Sequence, residues 1–283
     1  MGERRHITKQ HVVSQVVLAA FAVDGQVEVE DVRRPGRWRL KAPAAVGYVN
    51  DYVQHDSAGA EALWQTVETR LRDALDELRF GRLPPRGSEV EATIRDCIAV
   101  HWARSKAVSA MSERLWERVR HDHMRAMAGH PDVLAAVFQI RTGRTAEPAE
   151  LQETNEWLHA GPPEIRSGEH FSGRVRYLFE QAQAKFGDRS LQVGMCGNGV
   201  ENLLMSDCPV VTPSRSRAGL NPEQGVALGD ADAAGMPLGP RVFVSLHDRP
   251  ERVVIGFREA RMLNDWQRTV RREQLFRQPV NAP

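Results

Sequence analysis

Apolar positions recur along this chain with two different periods, and the change from one to the other divides it. Between 59 and about 80, Leu63, Val67, Leu71, Ala74, Leu75 and Leu78 stand three or four apart, and Gly81 stops the run. That spacing lines one face of an α-helix. A second helix carries Ile94, Cys97, Ile98, His101, Trp102 and Ser105 on one side and continues or restarts through Leu115, Trp116 and Val119. Helical spacing returns at 131–139, 148–158, 171–186 and 259–276, the last with Ala260, Leu263, Trp266 and Val270 together. Near the N-terminus the pattern predicts a short helix over 9–22, with Thr8 as N-cap and Val12, Val16, Ala19 and Ala20 on one face.

Elsewhere the period is two. Val27 and Val29, followed by Val32, predict a strand, and RWRLK at 37–41 predicts its partner across a turn at Arg34, Pro35 and Gly36. After Gly187 the runs LLMSDCPVV, RVFVSL and RVVIGF are short and β-rich, punctuated by Pro, Gly and Asp. SRSRAGLNPEQGVALGDADAAG has no period and predicts an exposed loop. The class is therefore α+β, a predominantly helical body over about 59–186, a β-rich segment over about 188–257 and a C-terminal helix at 259–276. The early ribbon and the late strands are expected to form a small mixed or antiparallel sheet, all within a single domain, 1–283.

Composition narrows the function classes. At 41% hydrophobic and 27% charged the chain is globular rather than disordered, and its net charge of +1 gives no global field for nucleic acid. The positives are almost all Arg, with only Lys9, Lys41, Lys106 and Lys185 as lysines, a bias that reads as GC-rich coding. Cys97, Cys196 and Cys208 are far apart and form no CxxC, which excludes a zinc ribbon and fits a reducing cytoplasm. The N-terminus has no apolar signal region, and the longest apolar run, VVLAAFAV, is too short to span a bilayer. The expectation is a soluble cytoplasmic protein with no membrane partner.

Four places carry candidate chemistry. Lys9, Gln10 and His11 sit at the start of the first predicted helix, where unpaired backbone N–H groups keep an imidazole neutral and fit to act as base or metal ligand. The alternative is a set of solvated helix-end residues. Glu61 and Glu68 are seven apart and share an azimuth beside the apolar stripe, as a cation site or acid–base pair would require. Alternatively Glu68 pairs with Arg72 one turn on. Arg104 follows His101 at the edge of a buried face, placed to clamp a carboxylate or phosphate, or simply to close an ion pair with Glu68. Ser206 and Asp207 leave a short strand before Pro209, an arrangement that presents an acid to a cleft or caps its own turn.

Other patterns exclude chemistry. His121 and His123 diverge by about 200 degrees on a helix, too far to share an ion. GMCGNG at 194–199 has no dinucleotide order, and no GxxxxGK[ST], HExxH or GxSxG occurs.

Taken in order, these pieces resemble the bacterial family called domain of unknown function 4238. Its Gln-His-Tyr-Val-Pro-Gln stretch is similar to Gln10, His11, Val12, Val13, Ser14 and Gln15, followed by Leu18 and Phe21. An Asn-Asp-aromatic step matches Asn50, Asp51 and Tyr52. The two-Glu helix matches Glu61 and Glu68, and the Arg of the next helix matches Arg104. The Thr-Ser-Asp-Asn-Pro-Val turn resembles Met205 to Val210, Pro-Leu-Ser-Pro resembles Pro237 to Pro240, and a closing Leu-Asn matches Leu263 and Asn264. The chain departs from the pattern at Val12, Ser14, Met205 and Cys208.

The resemblance implies one composite site with His11, Glu68, Arg104 and Asp207 as catalytic residues and Lys9, Gln10 and Ser206 as substrate contacts. Some members of that family occur in antiphage-defence loci, which implies an activity toward nucleic acid or a nucleotide. The expected activity is a metal-assisted hydrolase of phosphodiesterase or nuclease type, with Glu68 and Asp207 holding Mg²⁺ or Mn²⁺. Two rivals stand beside it: a ligand-binding or sensor module that does not turn over, and a buried structural network of the same polar residues.

Overall fold

The computed structural model describes residues 6–53, 56–128, 130–160, 169–213 and 231–280. Most of the loop expected after Pro213 (214–230) and the side chains of His121 and His123 lie outside the described residues. In chain order the elements are β1 (Lys9–His11), α1 (Gln15–Ala20), β2 (Val27–Asp31), β3 (Trp38–Lys41), a 3₁₀ turn (Pro43–Ala45), β4 (Tyr48–Asn50), α2 (Ser57–Arg79), α3 (Glu89–Ala103) and α4 (Lys106–Ala128). There follow α5 (Pro131–Thr142), α6 (Pro148–Ala160), α7 (Glu169–Phe186), β5 (Ser190–Cys196), β6 (Met205–Ser206), β7 (Ala234–Gly239), β8 (Val242–His247), β9 (Glu251–Ile255), α8 (Phe257–Val270) and β10 (Gln274–Arg277). The class is α+β.

The α2 stripe is buried as its period requires, with Trp64, Val67, Leu71, Leu75 and Leu78 in the core. Gly81 ends it with φ of +65°, and a Cβ there would come within 2.8 Å of Met195 Cγ. The next helical pattern restarts rather than continues. Arg104 leaves helical geometry, and the Ser105 hydroxyl accepts from Val108 N (3.2 Å) to open α4. One apolar cluster joins α1, α2, α3 and α7 to the inner face of a sheet through Leu18, Leu71, Ile98, Phe179, Val193 and Val244.

Two expectations are corrected. First, the helix expected over 9–22 begins only at Gln15, capped by Ser14, whose Oγ accepts from Val16 N. Residues 9–11 instead pair antiparallel with β4, and Val12 and Val13 both donate to Gly47 O (2.9 and 3.1 Å). Those bonds commit the backbone before a helix can start. Second, the C-terminal helix ends at Val270, and Gln274–Arg277 is a strand with Leu275 and Phe276 buried. The expected small sheet of early ribbon and late strands is present, and other late strands form a sheet of their own. The β2–β3 hairpin extends antiparallel to β10 and β6 in the order β3-β2-β10-β6. A separate mixed sheet has the order β7-β8-β5-β9, with only β5 and β9 parallel.

The glycine-rich stretch after β5 is held by Arg241, which donates to Val200 O (2.6 Å), Cys196 O (2.8 Å) and Gly197 O. Its carbonyls are thus occupied by a guanidinium, the opposite of a phosphate cradle. Among the described residues no helix is long and apolar enough to cross a membrane.

Candidate functional site

An open cleft of about 1000 Å³ lies between the N-terminal segment, the 3₁₀ turn and α2. His11 and Gln15 form one wall, Glu61, Gln65, Glu68 and Arg72 the other, and Arg104 reaches it from the end of α3. The α2 residues face the cleft together because intervals of three, four and seven residues return to nearly one azimuth.

Arg104 organises the cleft's inner end. Its side chain is 1% exposed and its guanidinium lies over the Trp64 ring, 5.3 Å from the centroid. Nη1 donates to Glu68 Oε1 at 3.0 Å and Nη2 to His101 Nε2 at 2.9 Å. His101 Nδ1 donates to Cys97 O (2.8 Å), which leaves Nε2 as an acceptor shared with the backbone N–H of Ser14 (3.1 Å). Burial and the adjacent Arg104 hold His101 well below the usual imidazole range, so it is neutral, as this double acceptance needs. The cap of α1 is thereby pinned to α3. Glu68 bonds to Arg104 rather than to its helix neighbour Arg72.

Two titratable groups on the cleft walls are pushed in opposite directions. Burial, then the charge of Lys9 and then that of Arg104, lowers His11, with Glu68 opposing. His11 is thus a neutral imidazole at pH 7, its ring touched by Gln15 Nε2 at 3.1 Å and by the edge of Tyr48. The cause is desolvation and neighbouring cations, because His11 lies in β1 and not in a helix. Burial raises Glu61 to about 7, with the Glu68 charge adding to the shift and Arg104 opposing it. Glu61 Oε1 is buried and receives no hydrogen bond from the protein.

The remaining predicted site residues go elsewhere. Lys9 sits beside the cleft, donating to Ala44 O (2.6 Å) and lying over the Tyr48 ring. Gln10 is fully buried and splints backbone, accepting from Val53 N (2.6 Å) and donating to Ile7 O and Val53 O, so it does not face the cleft. Ser206 is buried, and both its N and its Oγ donate to Gln267 Oε1 (2.8 and 2.9 Å).

Asp207 does not line the cleft. It is 1% exposed, accepts from Arg272 N (2.8 Å) and Glu273 N (2.9 Å), and lies 3.6 Å from Lys106 Nζ. It caps the backbone entering β10, not its own turn. The expected metal pair of Glu68 and Asp207 is therefore not assembled, since one acid is bound to a guanidinium and the other to main-chain N–H groups. Among the described residues no three His, Cys, Asp or Glu side chains are arranged to hold a metal.

The structure thus brings together His11, Glu68 and Arg104, and adds Glu61, Gln15 and the supporting His101. Glu61 was visible as the seven-residue partner of Glu68, and His101 as the residue one turn before Arg104. Nothing in the local sequence separates Asp207 from them. Comparison with known proteins returns no match: no family description fits the chain, and no curated protein and no solved structure resembles it.

Proposed function

We propose that the cleft is a hydrolytic active site for a small phosphoester of nucleotide size. The observation that carries this reading is the pairing, on the walls of one cleft, of a carboxyl raised to about 7 with an imidazole lowered into its neutral form. Groups driven apart in this way supply a general acid and a general base at the same pH. His11 takes a proton from the attacking water, and protonated Glu61 gives one to the leaving oxygen as the phosphorus–oxygen bond breaks. A proton passing from His11 to Glu61 through solvent restores both. Arg104 has one N–H on each of Nη1 and Nη2 beyond those used by Glu68 and His101, and these stabilise the phosphoryl charge. Glu68 holds the guanidinium in place.

A compact substrate is favoured over a polynucleotide. Arg72, Arg79 and Arg104 share the lining with Glu61, Glu68, Asp73 and Asp76, so the cleft lacks the excess positive charge that tracks a phosphate backbone. We place the protein in a reducing compartment such as the cytoplasm, which three buried, unpaired cysteines support. We also propose distant membership of the domain of unknown function 4238 family; His11, Glu61, Glu68 and Arg104, positions quoted for that pattern, lie on the cleft wall.

A second reading has its own observation. The Arg104–His101–Ser14 chain is buried and ties α1 to α3, which is what a structural network does. Arg104 substitutions therefore mix fold with chemistry, and His11 and Glu61 are the clean probes. The test is a screen of p-nitrophenyl phosphate, its diester, mononucleotides, cyclic nucleotides and oligonucleotides, each with and without Mg²⁺ or Mn²⁺. Turnover of a small ester that is lost in Glu61→Gln and His11→Asn supports the proposal. Turnover retained in both variants, or confined to oligonucleotides, refutes it.

A further inference from the structure

We propose a second small-molecule site, separate from the cleft, between α8 and the outer face of the β7-β8-β5-β9 sheet. Strand alternation sends Leu191, Val193, Val244 and Leu246 into the helical core. The residues between them, Gln192, Gly194, Phe243 and Ser245, face the other way. On this side α8 covers only part of the sheet, with Ala260, Leu263 and Trp266 packed near Ile255. Two glycines stand on the same face, paired with Phe243 and Ser245. A Cβ on Gly194 would lie 2.8 Å from Ile255 Cδ1, and one on Gly235 would lie 2.8 Å from Phe243 Cε1. The glycines thus let Ile255 and Phe243 lie close against the sheet, and beside them an apolar slot of about 240 Å³ remains, walled by Phe243, Val253, Met262 and Trp266.

One end of the slot is polar, and its hydrogen-bond directions can be deduced. Gln192 Nε2 donates to Glu251 Oε2 (3.1 Å), which turns Gln192 Oε1 toward Ser245. The Ser245 hydroxyl gives its only proton to that oxygen (3.3 Å), so the 3.0 Å contact with His247 requires His247 Nε2 to be the donor. Ser245 and His247 are therefore not a nucleophile with its base. What Ser245 has left to offer the slot is an acceptor lone pair.

The ligand chemistry follows from these features. A cavity of about 150 Å³ takes a benzene ring, so this slot takes a two-ring aromatic. Phe243 and Trp266 favour a planar ring, and Met262 supplies a polarisable contact. Glu259 on the lining disfavours an anion. The slot is built for a neutral aromatic of about two rings that carries one O–H or N–H donor.

The probes are 2-naphthol and 2-methoxynaphthalene, which share a ring system and differ in the donor. Binding to the full chain is followed by calorimetry and tryptophan fluorescence. The expected result is saturable one-site binding of 2-naphthol, roughly tenfold tighter than its methyl ether, the size of one net hydrogen bond. Ser245→Ala abolishes that preference, Val253→Trp fills the slot and abolishes binding, and Glu61→Gln changes neither. Met262→Trp on the exposed side of α8 repeats the filling test should Val253→Trp fail to fold by melting and circular dichroism. No saturable binding, equal affinity for both probes, or undiminished binding in a folded, filled variant overturns the proposal.

Discussion

Two polar clusters in this molecule look alike in sequence and differ in how completely they are satisfied. Around Asp207, each carboxylate oxygen accepts a backbone N–H, Ser206 bonds twice to Gln267, and the Gln267 amide donates to Pro209 O (2.8 Å). That cluster is closed, and its hydrogen bonds join α8, β6 and β10. Around Arg104 the network is open: Glu61 Oε1 and Arg104 Nε are buried without partners, and a cleft borders them. A closed cluster stabilises and has nothing left for a ligand. An open one carries an energetic cost that a bound substrate can offset. The difference separates scaffold from site better than residue type does.

The largest effect should come from opening the closed cluster. Asp207→Ala leaves two part-buried N–H groups without their acceptor, each costing about 1–2 kcal/mol, for a total of ~3 kcal/mol. Thermal unfolding should fall by roughly 5–10 °C, while kcat per folded molecule stays at the parent value. A large loss of kcat in protein shown to be folded would move Asp207 back into the chemistry. Next in size is the inverse pattern at the cleft. His11→Asn and Glu61→Gln should each lower kcat by about 100-fold, the scale of removing a general base or acid. Neither should change stability by more than ~1 kcal/mol at neutral pH, measured by denaturant titration.

How much of this was legible follows from what each feature depends on. The α2 stripe and β2 were readable because burial on one face imposes a period that survives in the sequence. The strand at 9–11 was not, because its pairing with 48–50 and the grip of Gln10 on Val53 are contacts between segments about 40 residues apart. β5 was missed since Gly194 interrupts its alternation, and β10 since Leu275 and Phe276 are adjacent and both buried. For the site, seven-residue spacing put Glu61 and Glu68 on one wall, and order along the chain put His11 and Arg104 near them. Asp207 failed because the donors to its carboxylate are main-chain N–H groups 65 and 66 residues away, which no local pattern announces.

A smaller effect probes the closed cluster from its other side. Ser206→Ala removes the hydroxyl that donates to Gln267 and accepts from Cys208 N (3.3 Å). The backbone bond from Ser206 N to Gln267 remains, so the loss should be ~1 kcal/mol and should leave kcat alone. A loss as large as that in Asp207→Ala would mean that the hydroxyl, not the carboxylate, organises this end of the molecule.

The smallest expected effect tests the open cluster through its protons. A glutamate ionises near 4.5 when unfolded, and Glu61 does so at about 7 in the fold. Between those values the folded chain holds more protons than the unfolded one, so this group's contribution to stability falls as pH rises and is fully lost above about 7. His11 and His101, both lowered, act in the reverse sense: their contribution is present above 6.5 and is lost as pH falls through their folded values. A whole-protein pH profile therefore blends opposing terms, and the Glu61 term must be isolated by difference. Glu61→Gln cannot ionise. Its stability relative to the parent should be flat below about 4.5, rise between 4.5 and 7, and level off above. Because Glu61 borders an open cleft, solvent screening should keep that rise under ~1 kcal/mol. A flat difference across the whole range would mean that Glu61 titrates as an ordinary surface carboxylate, and the cleft would then lose its acid.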